Sequence, residues 1–310
     1  MSFDKKVKVA VVQAAPALFN KELTIEKITG LIEQASLHNP DLIVFPESFI
    51  PAYPRNMIFG TTIGSRSDTG RQIWEIYFNN SVDVPGIESD IIAQAAKKSG
   101  AYISMGLTER EGKSLYCTQL FFSPSGKLSG KHRKIKPTAA ERLVWGEGDG
   151  STLSTHKISR TIIGTLICWE NYMPLARMAL YNKGVNIYLA PTADNRESWQ
   201  ATLKHIAQEG RCFVIGCNQF VAGSDYPKDI AANEGINTDE ILSAGGSCIV
   251  SPLGEYINEP VWNKEEIIIA ELDLNLTIRS SLDFDATGHY NRPDIFTFNA
   301  NNQPDTIIEE

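Results

Sequence analysis

The sequence contains no apolar run that approaches the roughly 20 residues needed to cross a bilayer. Its first residues, Met1–Lys6, lead directly into a strand pattern and lack the apolar segment of a secretory signal. Basic residues number only 29 against 37 acidic ones, so the formal net charge is −8. This balance argues against nucleic acid or an anionic membrane as a partner. Together these features predict a cytoplasmic protein that binds neither nucleic acid nor membrane.

The residue patterns that hold metal ions or disulfides are also missing. The five cysteines are odd in number and include no Cys-x-x-Cys pair. The five histidines are scattered, without a His-x-x-x-His pair. We therefore expect free thiols in a reducing compartment, no metal and no cofactor.

Hydrophobic periodicity predicts an α/β fold. Strand Val7–Ala14, helix Glu22–His38 and strand Leu42–Phe45 form the pattern of a parallel crossover. No repeat or composition shift marks a boundary, so we expect one domain over 7–298 and a short polar tail, 299–310, that frays. The other predicted elements are helices at Ser89–Ser99, Pro174–Lys183, Trp199–Glu209 and Leu276–Phe284, and strands at Tyr102–Thr108, Tyr116–Ser123, Thr161–Ile167 (as the central strand), Val185–Ala190, Phe213–Asn218, Gly246–Ser251 and Ile267–Leu272. Gly100 is expected to end the first of these helices. The first two of these strands are expected to form a hairpin through the turn Glu109–Lys113, and a turn at Pro252–Gly254 is expected to join the last two.

Three segments have little periodicity. Ile50–Asn80 is rich in aromatic residues, which indicates a functional loop or a short helix with a contact surface. Ser224–Glu240 is polar and is predicted to be a surface insertion. The glycines of Glu141–Gly150 resemble a phosphate loop only superficially, since no Lys-Ser/Thr follows, and they predict turns.

Two chemically active side chains follow buried strands. Cys168 comes after the apolar run from Thr161 and before a helix that Pro174 opens, and Glu47 comes after Leu42–Phe45. Open α/β sheets bind ligands at such strand ends, and backbone N–H groups there lower a thiol's pKa from about 8.5. Taken alone, Cys168 is more often an apolar filler at a strand end, and Glu47 could equally cap the next turn.

Lys134 is a third candidate, although basic runs such as 130–138 usually form a solvated face. A thiol nucleophile needs a base and a group that stabilises the charge developing on the substrate. His132 is the nearest histidine by context. A carboxylate base with an ammonium stabiliser is the workable alternative.

In combination, these residues resemble the nitrilase branch of the carbon–nitrogen hydrolase superfamily. Its glutamate motif corresponds to Phe45–Ser48, its lysine motif to His132–Thr138 and its cysteine motif to Cys168–Arg177, in the family's order. The resemblance extends over roughly Val7–Phe298. Further stretches of the nitrilase type are Glu141–Gly150, Ala190–Asp194, Gly216–Gln219 and Asp283–Pro293.

The resemblance implies a four-layer αββα sandwich that dimerises to αββα–αββα across a helix surface around Cys168. It further implies a homodimer or a larger homo-oligomer built from dimers. Two insertions, at about Ile58–Asn80 and Ser224–Leu242, help nitrilases to form spirals. The short tail after Phe298 argues against long filaments.

The resemblance also implies residue roles. Cys168 would be the nucleophile, Glu47 the general base, Lys134 the charge stabiliser and Glu141 the supporting glutamate. Ala52 stands where family members commonly have glycine, a change that leaves the chemistry intact. Tyr53, Trp169 and Thr192 are expected to bind substrate, with the backbone N–H of Trp169 as a further donor and Trp199 near the pocket.

The implied reaction is hydrolysis of an organic nitrile by water to the carboxylic acid and ammonia. It would pass through a thioimidate and a thioester on Cys168, with an amide as a possible by-product. The alternatives are an amidase or N-carbamoyl hydrolase with the same residues, a cyanide hydrolase, and a non-catalytic scaffold. Aromatic, arylaliphatic and aliphatic nitriles all remain open as substrates.

Overall fold

The computed structural model describes residues 6–304, and its strands and helices alternate as an α/β fold requires. The helices are α1 (Lys21–Ser36), α2 (Asp68–Asn79), α3 (Ile87–Ser99), α4 (Pro174–Asn182), α5 (Glu197–Gly210), α6 (Lys228–Glu234) and α7 (Asn275–Ser280). The strands are β1 (Lys6–Gln13), β2 (Leu42–Val44), β3 (Thr61–Thr62), β4 (Ser65–Arg66), β5 (Val82–Asp83), β6 (Tyr102–Glu111), β7 (Ser114–Phe122), β8 (Leu128–Arg133), β9 (Thr155–Ile158), β10 (Thr161–Thr165), β11 (Ile187–Thr192), β12 (Phe213–Asn218), β13 (Phe220–Ala222), β14 (Ile241–Val250), β15 (Tyr256–Trp262) and β16 (Glu266–Asp273). None of the helices within 6–304 is long and apolar enough to cross a membrane.

Two mixed sheets form the framework. The first has the strand order β16-β1-β2-β6-β7-β8, with β5 beside β6; the second has the order β13-β14-β12-β11-β10-β9, with β15 beside β14. Each has three parallel neighbours near its middle, β1-β2-β6 and β12-β11-β10. The predicted parallel pairing of β1 with β2 and the predicted β6–β7 hairpin are both confirmed.

The alternation of side chains along the strands builds four layers. Val9 and Val11 of β1 lie in the apolar cluster between the sheets, whereas Ala10 and Val12 lie in the cluster beneath α1 and α3. In the second sheet, Tyr188 likewise belongs to the cluster beneath α4 and α5. The order of layers is therefore helix, sheet, sheet, helix, and the predicted αββα fold is confirmed.

The prediction for the last strands was wrong in one respect. The turn at Pro252–Gly254 does not join Gly246–Ser251 to Ile267–Leu272, because it leads into β15, which lies between them in the sequence and pairs with β14. β16 instead pairs with β1 in the other sheet. The strand β15 was missed because it is a half-exposed edge strand that contains Pro260, a residue that argues against a central strand.

The two aperiodic segments are more ordered than their composition predicts. Residues 58–80 contain α2, and residues 224–242 contain α6, whose Ile230 and Ala231 are buried. These two segments, here called the insertion lobe, contact each other: the N–H of Ile58 donates to Glu234 Oε2 at 2.9 Å. Their buried side chains form one apolar cluster with Cys168. The second segment is therefore more than a surface insertion.

Smaller differences concern element ends. β10 ends at Thr165 and lies next to the edge strand β9, so the strand expected at the centre is second from the edge of its sheet. Helix α7 ends at Ser280, four residues before the predicted end at Phe284. Residues 1–5 and 305–310, which include most of the segment Met1–Lys6 and half of the predicted tail, lie outside the described residues.

Candidate active site

Glu47 is fixed by the backbone on both sides of it. It follows β2, and the preceding Pro46 carbonyl approaches Gly106 so closely that a Cβ there would lie 1.9 Å from the oxygen. Gln219 Nε2 donates to the Glu47 carbonyl at 2.8 Å. The Glu47 side chain is completely buried, so its carboxyl group faces the interior and not solvent.

The basic run departs from the solvated face that such runs usually form. Side chains alternate along β8 and just beyond it, so that His132 and Lys134 are buried while Lys131 and Arg133 point the other way. These two outward cations pair with the buried Glu109. Because side chains alternate along the strand, Lys134 is buried although its segment has the basic composition of an exposed surface.

Cys168 has a left-handed backbone conformation, with φ of +53°, which is uncommon for a residue with a Cβ. The conformation is held by Asn171, whose Nδ2 donates to the Cys168 carbonyl at 2.7 Å. Tyr188 in turn donates its hydroxyl to Asn171 Oδ1 at 2.7 Å. Strained backbone that the surroundings hold in place is concentrated at functional sites.

The acidic and basic candidates meet in one buried network. Lys134 Nζ lies 2.7 Å from Glu47 Oε1 and 2.7 Å from Glu141 Oε2. Tyr53 donates its hydroxyl to Glu141 Oε1 at 2.8 Å, and the N–H of Thr138 donates to Glu141 Oε2. Glu47 Oε2 is buried and has no hydrogen-bond partner among residues 6–304. That oxygen is available to accept a proton from a reacting group.

The electrostatics differ from the expected activated thiolate. Burial, together with the charge of Glu47, raises the pKa of the Cys168 thiol to about 12 against the opposing effect of Lys134. Burial also raises the pKa of Glu47 above its ordinary value. For Lys134, burial lowers the pKa, but the charges of Glu47, Cys168 and Glu141 outweigh it and the pKa is raised. The expectation of a lowered thiol pKa was wrong, because removal from water outweighs the nearby backbone N–H groups.

A carboxylate that sequence reasoning did not assign joins the lysine and cysteine segments. Glu170 accepts hydrogen bonds from the N–H of Ile167 at 2.6 Å and from the N–H of Ile135. It also pairs with His132, whose Nε2 lies 3.0 Å from Glu170 Oε2. Burial lowers the pKa of His132, but the charge of Glu170 outweighs it and raises the pKa. The only signal in the sequence was the position of Glu170 two residues after Cys168.

A cleft of about 330 Å³ opens onto Cys168. Tyr53, Trp169 and Glu141 line it as well. Thr192 lies beneath the thiol and donates its hydroxyl to Cys168 Sγ at 3.1 Å, without belonging to the cleft wall. Trp199 is buried behind Tyr172 and does not line the cleft. The lining residues that sequence reasoning missed are Arg55, Thr138, Ala139, Ala140, Ala193, Asp194, Asn195 and Arg196.

Comparison with known proteins decides the family. A profile for carbon-nitrogen hydrolases matches residues 8–280 of the chain. The chain belongs to the carbon–nitrogen hydrolase family. Within residues 6–304 of this hydrolase, His, Cys, Asp and Glu side chains form no cluster of three that could hold a metal ion.

Curated relatives define the branch of the family. An aliphatic nitrilase of Sinorhizobium fredii is 46% identical over 303 residues, which cover 98% of each chain. A bifunctional nitrilase/nitrile hydratase of Nicotiana tabacum is 45% identical and covers 94% of this chain and 85% of its own. These identities place the hydrolase in the nitrilase branch, so the predicted reaction class, hydrolysis of a nitrile, is confirmed.

Solved structures support the fold. A carbon-nitrogen hydrolase from Helicobacter pylori has a TM-score of 0.74 at 22% identity, over 94% of this chain and 97% of its own. This likeness agrees with the four layers described above.

Proposed function

We propose that Cys168 is the nucleophile of this nitrilase and that Glu47 is its general base. The observation that carries the proposal is the buried network of Glu47, Lys134 and Glu141 beside a cleft that ends at Cys168. Glu47 Oε1 is occupied by Lys134, whereas Oε2 has no partner among the described residues. A carboxylate held in this way has one oxygen fixed and one free for proton transfer.

The raised pKa values of Cys168 and Glu47 favour proton transfer that accompanies attack over a resting thiolate. Glu47 takes the thiol proton as sulfur bonds to the nitrile carbon, and the proton passes to nitrogen to give a thioimidate. Water activated by Glu47 then adds, and the tetrahedral intermediate expels ammonia to leave a thioester. A second water hydrolyses the thioester to the carboxylic acid and restores the thiol.

Lys134 stabilises the negative charge that develops during attack. Its ammonium group is oriented by two carboxylates, so little reorganisation is needed as the charge develops. Glu141 is itself oriented by Tyr53 and the N–H of Thr138, which makes it a positioning residue for Lys134. The backbone N–H of Trp169 acts as a further donor to the substrate. If the tetrahedral intermediate expels sulfur instead of ammonia, an amide is released as a by-product.

The enzyme is further proposed to act as a homodimer or as a larger oligomer of dimers. Tyr172, Met173 and Leu175 follow the nucleophile directly and expose apolar surface at the start of α4. A contiguous apolar surface of this kind favours a protein contact. Pairing there would bury the segment that carries Cys168.

The nucleophile is tested by ammonia release from a panel of nitriles and the corresponding amides. We expect the wild type to turn over nitriles, and Cys168→Ala to lower kcat by about 10⁴-fold or more, because Cys168 is the only cysteine among residues 6–304 that lines the cleft. Cys212→Ala is the matched control, since that thiol is buried beneath α4 and α5 and outside the cleft.

Retained turnover in Cys168→Ala would contradict the assignment of the nucleophile. Turnover of amides without nitriles by the wild type would move the protein to an amidase function with the same residues. Loss of activity in Cys212→Ala as well would indicate that removal of any buried thiol is harmful, and the nucleophile would then be tested by trapping a covalent adduct on Cys168.

A further inference from the structure

The cations around the cleft differ in whether a carboxylate neutralises them. Lys134 lies between Glu47 and Glu141, and Arg196 pairs with Asp194 at 2.5 Å. Arg55 also lines the cleft, but no carboxylate of residues 6–304 forms an ion pair with it. A half-buried guanidinium on a cleft wall without a counter-ion is a site for an anionic ligand group.

Arg55 is held by two other residues that line the cleft. Its guanidinium lies 5.4 Å from the centre of the Tyr53 ring, and its Nη2 donates to the carbonyl of Ala193. Ala193 directly follows Thr192, whose hydroxyl donates to Cys168 Sγ at 3.1 Å. The hydrogen bond to Ala193 uses one of the five N–H donors of the Arg55 guanidinium, so the remaining donors can still bind a carboxylate.

From this arrangement we infer that the substrate is a nitrile that carries a carboxylate a few carbon atoms from the nitrile group. The inference rests on the proposed function of Cys168. A carboxylate near the reacting end would be repelled by Glu47 and Glu141, so it has a favourable place only at Arg55. Binding there orients the chain with its nitrile carbon towards the thiol.

The same charges disfavour the other simple substrates. A nitrile with a terminal ammonium group would place a positive charge against Arg55. A neutral alkyl nitrile would cover the guanidinium without replacing the hydrogen bonds that it makes to water, which lowers affinity. Arg55 is therefore a specificity-determining residue, and Arg196 is not, because Asp194 already neutralises it.

The test compares 4-cyanobutanoate with its neutral isostere 5-methylhexanenitrile, together with one homologue on either side of each. We expect wild-type kcat/KM to favour the carboxylate compound by about tenfold or more, mainly through KM. Arg55→Met should reduce or reverse this preference. Arg55→Lys should keep part of it, because the charge remains and the two-pronged geometry is lost. Added salt should raise KM for the carboxylate compound alone.

Arg71→Met is the matched control, since Arg71 is an exposed arginine of α2 outside this cleft, and it should leave the preference unchanged. Equal kcat/KM for the two compounds in the wild type, or equal losses on both in Arg55→Met, would overturn the inference while the nitrilase mechanism stands. Absence of turnover of every nitrile by the wild type would overturn the proposed function, and this inference with it.

Discussion

At the residue scale, the ionisable side chains that take part in proton transfer are buried together and influence one another's protonation. The charge of Glu47 raises the pKa of Lys134 and of Cys168, and Lys134 lowers the pKa of Glu47 and of Cys168, so their titration belongs to the group as a whole. Since Glu47 must be ionised to act as a base, its raised pKa predicts an acid limb of kcat/KM above its ordinary value of 4.5. Activity should rise with pH as this carboxyl group loses its proton.

A substitution at Cys117 is expected to shift the acid limb of the pH profile of kcat/KM. Its Sγ lies 3.5 Å from Glu47 Oε1 and donates a weak hydrogen bond that favours the charged carboxylate. In Cys117→Ala this donor is lost, so the pKa of Glu47 rises further and the acid limb should shift to higher pH, on the order of 0.5 pH unit. The measurement is the pH profile of kcat/KM for one nitrile.

Cys117→Ser is the control, because a hydroxyl group can still donate to Glu47. Its acid limb should stay at or below the wild-type position. A limb that is unchanged or lowered in Cys117→Ala would contradict the assignment of Glu47 as the base.

At the element scale, the site depends on a connection between the ends of β8 and β10. These strands belong to different sheets, and Glu170 bonds the backbone just after Lys134 and just before Cys168. His132 from β8 supports the carboxylate from the other side. Glu170 is thus a positioning residue that fixes the position of Lys134 relative to Cys168.

Glu170→Gln tests this connection. An amide keeps one acceptor oxygen but places an NH₂ group against the second backbone N–H, which costs about 1–3 kcal/mol. We expect kcat to fall by about 10- to 100-fold with a smaller change in KM, because the substrate-binding wall is unaffected. Steady-state kinetics measures the changes in kcat and KM separately. The rate of alkylation of Cys168 reports directly on the position of the thiol.

Glu111→Gln is the matched control, since Glu111 pairs with Arg133 on the exposed side of the same region. It should leave kcat and the alkylation rate unchanged. A Glu170→Gln variant that is less stable but has wild-type kcat would show that the connection serves only folding.

At the same scale, sequence reasoning succeeded where an element has its own periodicity. Helix α3 was predicted to end at Gly100, and Gly100 is the left-handed residue that caps it. Helix α2 was only one of two alternatives for its segment, and α6 was missed, because both pack into an apolar cluster that also contains the other insertion and Phe19, which lies far away in the sequence. Local composition carries no information about such a partner.

At the scale of the whole molecule, the four layers bring together residues that the sequence separates widely. Glu47 and Lys134 come from the first sheet and Cys168 from the second, so the site is built at the meeting of the sheets. The insertion lobe shares an apolar cluster with Cys168 and closes one side of it. The single domain over 7–298 and the cytoplasmic location stay predictions.

The proposed dimer is tested at Leu175, whose side chain is 71% exposed. The wild type should have a mass in solution that is a multiple of the 34.3 kDa chain, and Leu175→Arg should shift it to the monomer, because like charges would face each other across a two-fold axis. Light scattering coupled to size-exclusion chromatography measures the mass. Activity should fall with dissociation, since the contact includes the segment after Cys168.

Leu37→Arg is the control, because Leu37 is an equally exposed leucine on the opposite helical layer, at the end of α1. It should leave the mass unchanged. A wild type that is monomeric at working concentration would contradict the dimer and leave the catalytic proposal intact.

By itself, the sequence determined most of the strands and helices that have their own periodicity, the family and the three candidate residues, because strand period, caps and motif order are local properties of the chain. The tertiary structure decided what those residues can do. It placed Lys134 between two carboxylates, raised the pKa of Cys168 to about 12, and set Arg55 on the cleft wall without an ion pair to any carboxylate of residues 6–304. Burial and charge pairing depend on residues that are distant in the chain, so only packing determines them.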